Sequence, residues 1–384
     1  MSVTAARRFV ASGLHCGIRK TRGDLALIRS TDHATGAGMF TVNRMLAAPV
    51  VVSKRHLELA QPQAIVVNSG NANAATGEEG VRDAHRTAAA AARLLGLDEH
   101  EVLVLSTGVI GVPLPVDALL RGLAPAVEAL SPDGGCEAAE AILTTDTCAK
   151  EAVAHAEGFV VGGMAKGSGM IHPNLATMLA VVTTDYPLEP GEALEFLRPA
   201  VERSFNAISV DGECSTNDTV VLLANGASSA ARDDAAFAEA LDAVCSKLSG
   251  MIVADGEGVT VVAQIGVTGA ASADEARAIA RRIATSPLVK TALHGRDANW
   301  GRVLAAAGSA PFNGGYARLD PSLVTLDFDG VRVLEHGAPR GVEPALAGAN
   351  VTIELDLGLG TGSASYLTSD LSSDYVRINA DYRS

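Results

Sequence analysis

Aromatic side chains are scarce, with eight Phe, five Tyr and a single Trp making up 4% of the 384 residues. So few rings argue against surfaces built on stacking and favour close helix-on-sheet layers. Cysteine is sparse as well. The five, at 16, 136, 148, 214 and 245, are odd in number, scattered and without any CxxC pair. They suggest neither a disulfide framework nor a cysteine-based zinc site, and they fit a reducing cytoplasm. No run of about 18 apolar residues occurs. The basic residues Arg7, Arg8, Arg19 and Lys20 precede no apolar segment of signal-peptide length, so a soluble, untargeted, cytoplasmic protein is expected. Positive charge is in deficit: 30 basic against 44 acidic residues leave a net charge of −14. Such a balance repels nucleic acid and anionic lipid, and neither is an expected partner. Internal repeats, heptad runs, low-complexity linkers and breaks in composition are all missing.

What the chain has is alanine-rich hydrophobicity, 48% in all, over a length that exceeds one hydrophobic core. Two lobes or one large layered α/β unit are therefore expected. Short apolar and β-branched runs at 24–29, 37–42, 49–53, 63–68, 101–106, 158–165, 178–184, 207–211, 259–267, 323–328, 351–357 and 364–371 read as strands. Segments with apolar residues at helical spacing lie between them, at 78–97, 116–130, 136–143, 190–205, 233–248 and 271–284.

The most informative stretch runs from Lys166 through Gly-Ser-Gly-Met-Ile-His-Pro-Asn-Leu to Ala176 and Thr177, and then into the apolar run that starts at Met178. Its glycines release the backbone, and Pro173 fixes its own φ and pushes His172 to an extended form. Thr177 stands at the entrance of a strand. A threonine hydroxyl is a poor nucleophile unless a base takes its proton, and one solution makes the threonine an N-terminus whose own amine is that base. That requires cutting the Ala176–Thr177 bond, by attack of the Thr177 hydroxyl on the Ala176 carbonyl and hydrolysis of the resulting ester. An Ala-Thr pair at a strand entrance is equally compatible with ordinary packing.

The segment Lys166–Leu179 closely resembles the self-cleavage segment of the ornithine acetyltransferases, also called bifunctional glutamate N-acetyltransferases, of arginine biosynthesis. Further segments resemble the same family in the same order: Asn68-Ser-Gly-Asn-Ala-Asn73, Ser106-Thr-Gly-Val-Ile-Gly111, Thr144-Thr-Asp-Thr147, Ser215-Thr-Asn-Asp-Thr219, Asp255-Gly-Glu-Gly258, His294-Gly-Arg-Asp-Ala-Asn-Trp-Gly-Arg302 and the tail ending at Ser384. The resemblance implies a layered αββα sandwich similar to the N-terminal-nucleophile hydrolases, self-cleaved into chains 1–176 and 177–384, with two copies of each assembled. It implies acetyl transfer from N2-acetyl-L-ornithine to L-glutamate, with acetyl-CoA as a further donor in some relatives and no metal or organic cofactor. Carried over residue by residue, it makes Thr177 the nucleophile and gives the oxyanion hole to Thr107 and Gly108. It assigns substrate contacts to Thr145, Lys166, Thr177, Glu257, Asn379 and Ser384, the last standing where many relatives have threonine.

Other residues invite a role but have plainer readings. Asn68 and Asn71 suit a tight strand-to-helix turn, and His172 and His294 suit loop ordering, since an N-terminal amine with a reference pKa of about 8 already supplies a base. Asn217 and Asp218 suit structural hydrogen bonding. Two other functions stay open at this point. One is a self-cleaving aminopeptidase whose acyl-enzyme is discharged by water; the other is an uncleaved protein that binds a metabolite without turning it over.

Overall fold

The computed structural model describes residues 2–172, 178–228 and 231–381. The chain packs as two compact units: one holds residues 2–206 with Glu213–Ile252, the other Ala207–Gly212 with the described residues 253–381.

In the first unit one sheet takes the order Phe9–Leu14, Leu25–Ser30, Ala64–Asn71, Val102–Val109, antiparallel except for the last, parallel pair. Side chains alternate faces with the two-residue period of a strand. Ala26, Ile28, Ile65, Val67, Leu103 and Leu105 face inward. Leu25, Leu27, Ala64, Val66, Val102 and Val104 face the helices Ala48–Leu59, Gly77–Leu95 and Val116–Glu128. Burial on both faces explains why these strands read as unbroken apolar runs rather than as alternation. A second sheet follows the order Thr35–Phe40, Thr219–Ala224, Leu179–Thr184, Val160–Lys166, Lys150–His155. Its Met164, Leu179, Val181, Val221 and Leu223 close the core against the first sheet. On its other side, a Cβ at Gly163 would lie 3.1 Å from Val244 and Leu248 of the helix Asp234–Ala254. The unit is thus an αββα sandwich, the layered α/β class expected from the sequence.

The segment 49–53 departs from expectation. Read as a strand, it is the first turn and a half of the helix Ala48–Leu59. Pro49 falls where its fixed φ suits a helix start and its missing N–H is no loss. Pro49, Val52, Ser53 and His56 are buried at helical spacing while Val51 is exposed, and Ser53 Oγ donates to Val104 O at 2.7 Å. Tertiary packing outweighs the β preference of three valines.

The strands Val160–Lys166 and Leu179–Thr184 pair antiparallel, as expected, with Lys166 opposite Leu179. The glycine-rich loop therefore connects two neighbouring strands at one end of the second sheet.

The second unit is a seven-stranded sheet in the order Ala338–Pro339, Val331–Glu335, Thr325–Phe328, Asn350–Asp356, Val262–Ala270, Gly362–Ser369, Ile208–Ser209. Val351, Ile353 and Leu355 alternate with exposed residues along one strand. They join Ile279, Ile283 and Val303 of the helices Ala273–Ala284 and Trp300–Gly308 in one core. The sheet is covered on a single face, which gives the in-out alternation its sharpness. His294 closes the helix Pro287–His294. Its Nδ1 donates to Asp370 Oδ2 at 2.8 Å, and the same buried carboxylate accepts the Thr260 and Val261 amides at 2.8 and 3.0 Å. This is the loop-ordering role read from the sequence. His294→Ala is expected to lower stability by about 1–3 kcal/mol, the scale of a hydrogen bond lost at a buried charged partner. Thermal melts compared with activity per folded molecule check this; unchanged melting with lost activity would contradict it.

Candidate functional site

Thr107 and Gly108 lie near the end of the strand Val102–Val109, where its parallel neighbour Ala64–Asn71 slips register between Gly70 and Asn71. Gly108 has φ +132°, and a Cβ there would stand 2.3 Å from the Gly70 carbonyl carbon. Only glycine fits there, directly after the buried Thr107; a glycine amide and a threonine hydroxyl are donor types that an oxyanion hole can use. The surrounding turn is knitted by amides. Ser106 Oγ donates to Asn68 Oδ1 at 2.6 Å, Asn68 Nδ2 to Asn71 O at 2.8 Å, and Asn71 Nδ2 to Val112 O at 3.1 Å. Asn68 and Asn71, read from the sequence as residues of a strand-to-helix turn, instead lie within and at the end of the strand Ala64–Asn71, and their side chains brace the chain that leaves it.

Asn217 and Asp218 tie this turn to the second sheet. Asn217 Nδ2 donates to Ser106 O at 2.9 Å and to Ala72 O at 2.6 Å. Asp218 Oδ1 accepts the Met178 amide at 2.7 Å, and the Asp218 carbonyl accepts the Thr41 amide at 2.9 Å. Two adjacent side chains thus fix the backbone just before Thr107 and just after Thr177. Asp218 is fully buried, and among the described residues its Oδ2 has no hydrogen-bond partner. Burial pushes its carboxyl well above the usual carboxylate range, against the opposing pull of the Met178 amide, Lys166 and Ser215.

A second buried carboxyl behaves in the opposite way. Asp146 Oδ1 accepts from Lys150 Nζ at 2.7 Å and from the Gly167 amide at 2.6 Å, while Oδ2 accepts the Thr144 amide at 3.0 Å and stands 3.9 Å from Lys166 Nζ. Burial alone would raise it, but Lys166 and Lys150 together with these hydrogen bonds hold it well below the ordinary range. Beside it, Thr145 Oγ1 and Ser168 Oγ share a hydrogen bond of 2.7 Å. The first unit therefore gathers Thr145 and Lys166 around Asp146. It also brings the Thr107–Gly108 turn and the Met178 amide to neighbouring anchors on 217–218. Ala176, Thr177 and Ser384 lie outside the described residues.

Glu257 and Asn379 belong to the second unit. Asn379 Nδ2 donates to Glu257 Oε2 at 2.7 Å, so the helix Ser373–Asp381 is held against the turn that carries the glutamate. Gly258 has φ +68°, and a Cβ there would lie 2.5 Å from the Tyr375 amide nitrogen; its carbonyl accepts from Ser372 Oγ at 2.6 Å. The glycine that follows Glu257 is thus needed for close approach of the terminal helix.

Three participants escaped the reading of the sequence. Asp146, among threonines, reads as a capping or turn residue and Ser168 as part of a glycine-rich loop, while the structural hydrogen bonding read for Asn217 and Asp218 does not reveal that they span two strand ends. The available signal was the lysine four residues after Asp146 together with Lys166, two cations too apolar in context to be left without a carboxylate.

The sequence profile of the ArgJ family matches residues 10–384. The chain belongs to the ArgJ family. This is the family that the motifs resembled. The chain is 46% identical to the arginine biosynthesis bifunctional protein ArgJ of Symbiobacterium thermophilum, over 99% of this chain and 98% of that protein. It is also 46% identical to the protein of the same name from Mycobacterium bovis, over 100% and 96% respectively. Among solved structures, ornithine acetyltransferase from Mycobacterium tuberculosis complexed with ornithine is 42% identical and covers 46% of this chain and 96% of that one, with a TM-score of 0.44.

The opposed environments of the two carboxyls give opposed pH dependences. Asp146, depressed, contributes stability above the unfolded carboxyl pKa of about 3.9 that is lost as pH falls below it. Asp218, raised, loses stability as pH climbs from about 3.9 toward its folded value, because only the unfolded chain then ionises. Asp218→Asn keeps an acceptor for the Met178 amide and removes that penalty. We expect it to match or exceed the wild type near neutral pH and to lose that advantage near about pH 4. Asp218→Ala, which orphans the buried amide, should lose about 1–3 kcal/mol. Denaturant titrations at both pH values check this, and an asparagine variant much weaker than wild type at neutral pH would refute it.

Proposed function

We propose that the chain is a self-cleaving acetyltransferase of arginine biosynthesis that moves an acetyl group from N2-acetyl-L-ornithine to L-glutamate through an acetyl-threonine ester. What supports the reading most is the convergence of family membership with the grip of 217–218, which anchors the Thr107–Gly108 turn and the amide of the residue after Thr177 through one dipeptide. An attacking hydroxyl and the donors for the charge it creates need such a shared mount.

Maturation begins with the Thr177 hydroxyl adding to the Ala176 carbonyl and displacing the peptide nitrogen, which becomes the free α-amine of Thr177; water then hydrolyses the ester and leaves Ala176 as a carboxylate. In turnover that amine, directly or through a water, takes the hydroxyl proton as the oxygen attacks the acetyl carbonyl. The Thr107 hydroxyl and the Gly108 amide donate to the oxyanion, each worth about 3 kcal/mol of transition-state stabilisation. Collapse expels the α-nitrogen of ornithine, which accepts the proton, and leaves threonine acetylated. The amine of glutamate attacks the ester in turn, N-acetylglutamate departs and the hydroxyl is restored. Thr145, Lys166, Glu257, Asn379 and Ser384 contact the substrates, and Lys166 offers a cation to a substrate carboxylate. No metal or organic cofactor takes part. The working assembly is two copies each of chains 1–176 and 177–384 in the cytoplasm, and acetyl-CoA serves as an additional acetyl donor if the chain shares the bifunctional activity named for its relatives.

Intact mass measurement of the denatured wild type should give two species, residues 1–176 and 177–384, and Thr177→Ala a single uncut chain. A single wild-type species would remove the amine base from the scheme and favour the metabolite-binding reading. Initial rates at several glutamate concentrations should then give parallel double-reciprocal lines. Intersecting lines would refute the acetyl-enzyme, and release of free acetate without glutamate would favour a hydrolase.

A further inference from the structure

A buried histidine nitrogen in the first unit makes no hydrogen bond to any of the described residues. His56, in the last turn of the helix Ala48–Leu59, has a fully buried side chain. Its Nδ1 faces the Val102 carbonyl at 2.8 Å. A carbonyl only accepts, so Nδ1 carries the proton and Nε2 presents its lone pair. Among the described residues that buried Nε2 has no hydrogen-bond partner. Leaving such an atom unmatched is unfavourable.

The lone pair sits among two further ligand-type groups from different segments. His85 projects from the helix Gly77–Leu95, and Glu99 opens the short helical turn Glu99–Glu101, fixed by a capping box on Asp98. Glu99 Oε1 lies 2.7 Å from His85 Nδ1 and 3.8 Å from His56 Nε2. One ligand atom from each of the three side chains falls within 4.8 Å of the others. His85 and Glu99 are partly exposed, at 46% and 34% of their side-chain surface, so the cluster opens to solvent on one side and is backed by a buried imidazole on the other. A ligand histidine whose second nitrogen is held by a backbone carbonyl is the usual arrangement at metal centres, because it fixes both tautomer and ring direction.

We propose that His56, His85 and Glu99 form a binding site for a zinc-class divalent cation, separate from the residues assigned to acetyl transfer. Two imidazole nitrogens and one carboxylate oxygen suit zinc, cobalt or nickel, with water in the remaining position; magnesium and calcium prefer all-oxygen shells. Binding widens the 2.7 Å Glu99–His85 contact and narrows the 3.8 Å Glu99–His56 one toward the roughly 3.3 Å ligand spacing of a tetrahedral shell, and His85 gives up its hydrogen bond to Glu99 in exchange for the metal. Val102, whose carbonyl orients His56, begins the strand that ends with the Thr107–Gly108 turn, roughly 17 Å away for five residues of extended chain. The cation would therefore brace the far end of that strand by joining two helices and a turn around it.

The test titrates the full-length protein, stripped with a chelator and dialysed, with zinc chloride by calorimetry and with cobalt chloride by visible absorption. The expected result for the wild type is uptake of one equivalent of zinc with a raised melting temperature, together with a cobalt spectrum of low coordination number. His85→Ala and Glu99→Gln, at partly exposed positions where folding is not at stake, should each lose that equivalent. A Cys136→Ser, Cys148→Ser double variant should keep it, which removes the two exposed thiols as the source. The proposal is overturned by a wild type that takes up no zinc, by undiminished uptake in His85→Ala and Glu99→Gln, by loss of uptake in the cysteine variant, or by equal uptake of magnesium chloride.

Discussion

Adjacent side chains at 217 and 218 hold the end of a strand in one sheet and the beginning of a strand in the other. The Asn217 amide reaches the Ser106 and Ala72 carbonyls, and the Asp218 carboxyl receives the Met178 amide. Backbone groups buried beyond the reach of water must find a protein partner, and here neither sheet supplies one at its own edge. The dipeptide therefore does two things: it satisfies stranded backbone groups, and it fixes the spacing between two strand ends on which the proposed chemistry depends. Burial raises the pKa of this carboxyl well above the usual range and so favours its neutral form, the less costly one for a carboxyl taken out of water.

Elsewhere the fold accepts buried charge and handles it case by case. Lys150 and Lys166 are buried around a single carboxylate, Asp146, so three ionised groups share one desolvated pocket. Such clusters hold geometry more than they add stability, because the desolvation of each charge offsets much of the attraction. Lys290 in the second unit is equally buried but donates to Thr368 Oγ1 and the Ser369 carbonyl, neutral oxygens. Burial accordingly brings its ammonium down to about 8, with Asp211 and Asp370 pulling the other way. A chain with a net charge of −14 thus keeps some of its few cations inside, where each has a local reason to be.

Sequence was most informative where a single physical rule governed the segment. Strands with both faces covered, such as Leu25–Ser30 and Ala64–Asn71, announce themselves as apolar runs, and the pairing across the glycine loop followed from two such runs flanking it. The 49–53 segment misled because three valines outvoted a proline whose meaning is positional. Lys150–His155, which alternates buried and exposed residues at a sheet edge, is too polar to have been recognised. At the site, the Gly108 and Gly258 positions were legible because glycine marks close approach. Asp146 and Asp218 were not, because a carboxyl's ionisation depends on neighbours that only the fold brings together. The family motifs supplied roles that residue types alone left undecided.

The seven-stranded sheet ends in two-residue strands on both sides, Ile208–Ser209 and Ala338–Pro339. A row of unpaired amides is what lets one sheet recruit another, and a pair of residues offers too short a row; Pro339 removes one donor outright. Growth of this sheet by adding strands from a neighbouring molecule is blocked at each margin. Self-association through this sheet is therefore directed toward contacts between side-chain surfaces and away from continuous intermolecular pairing.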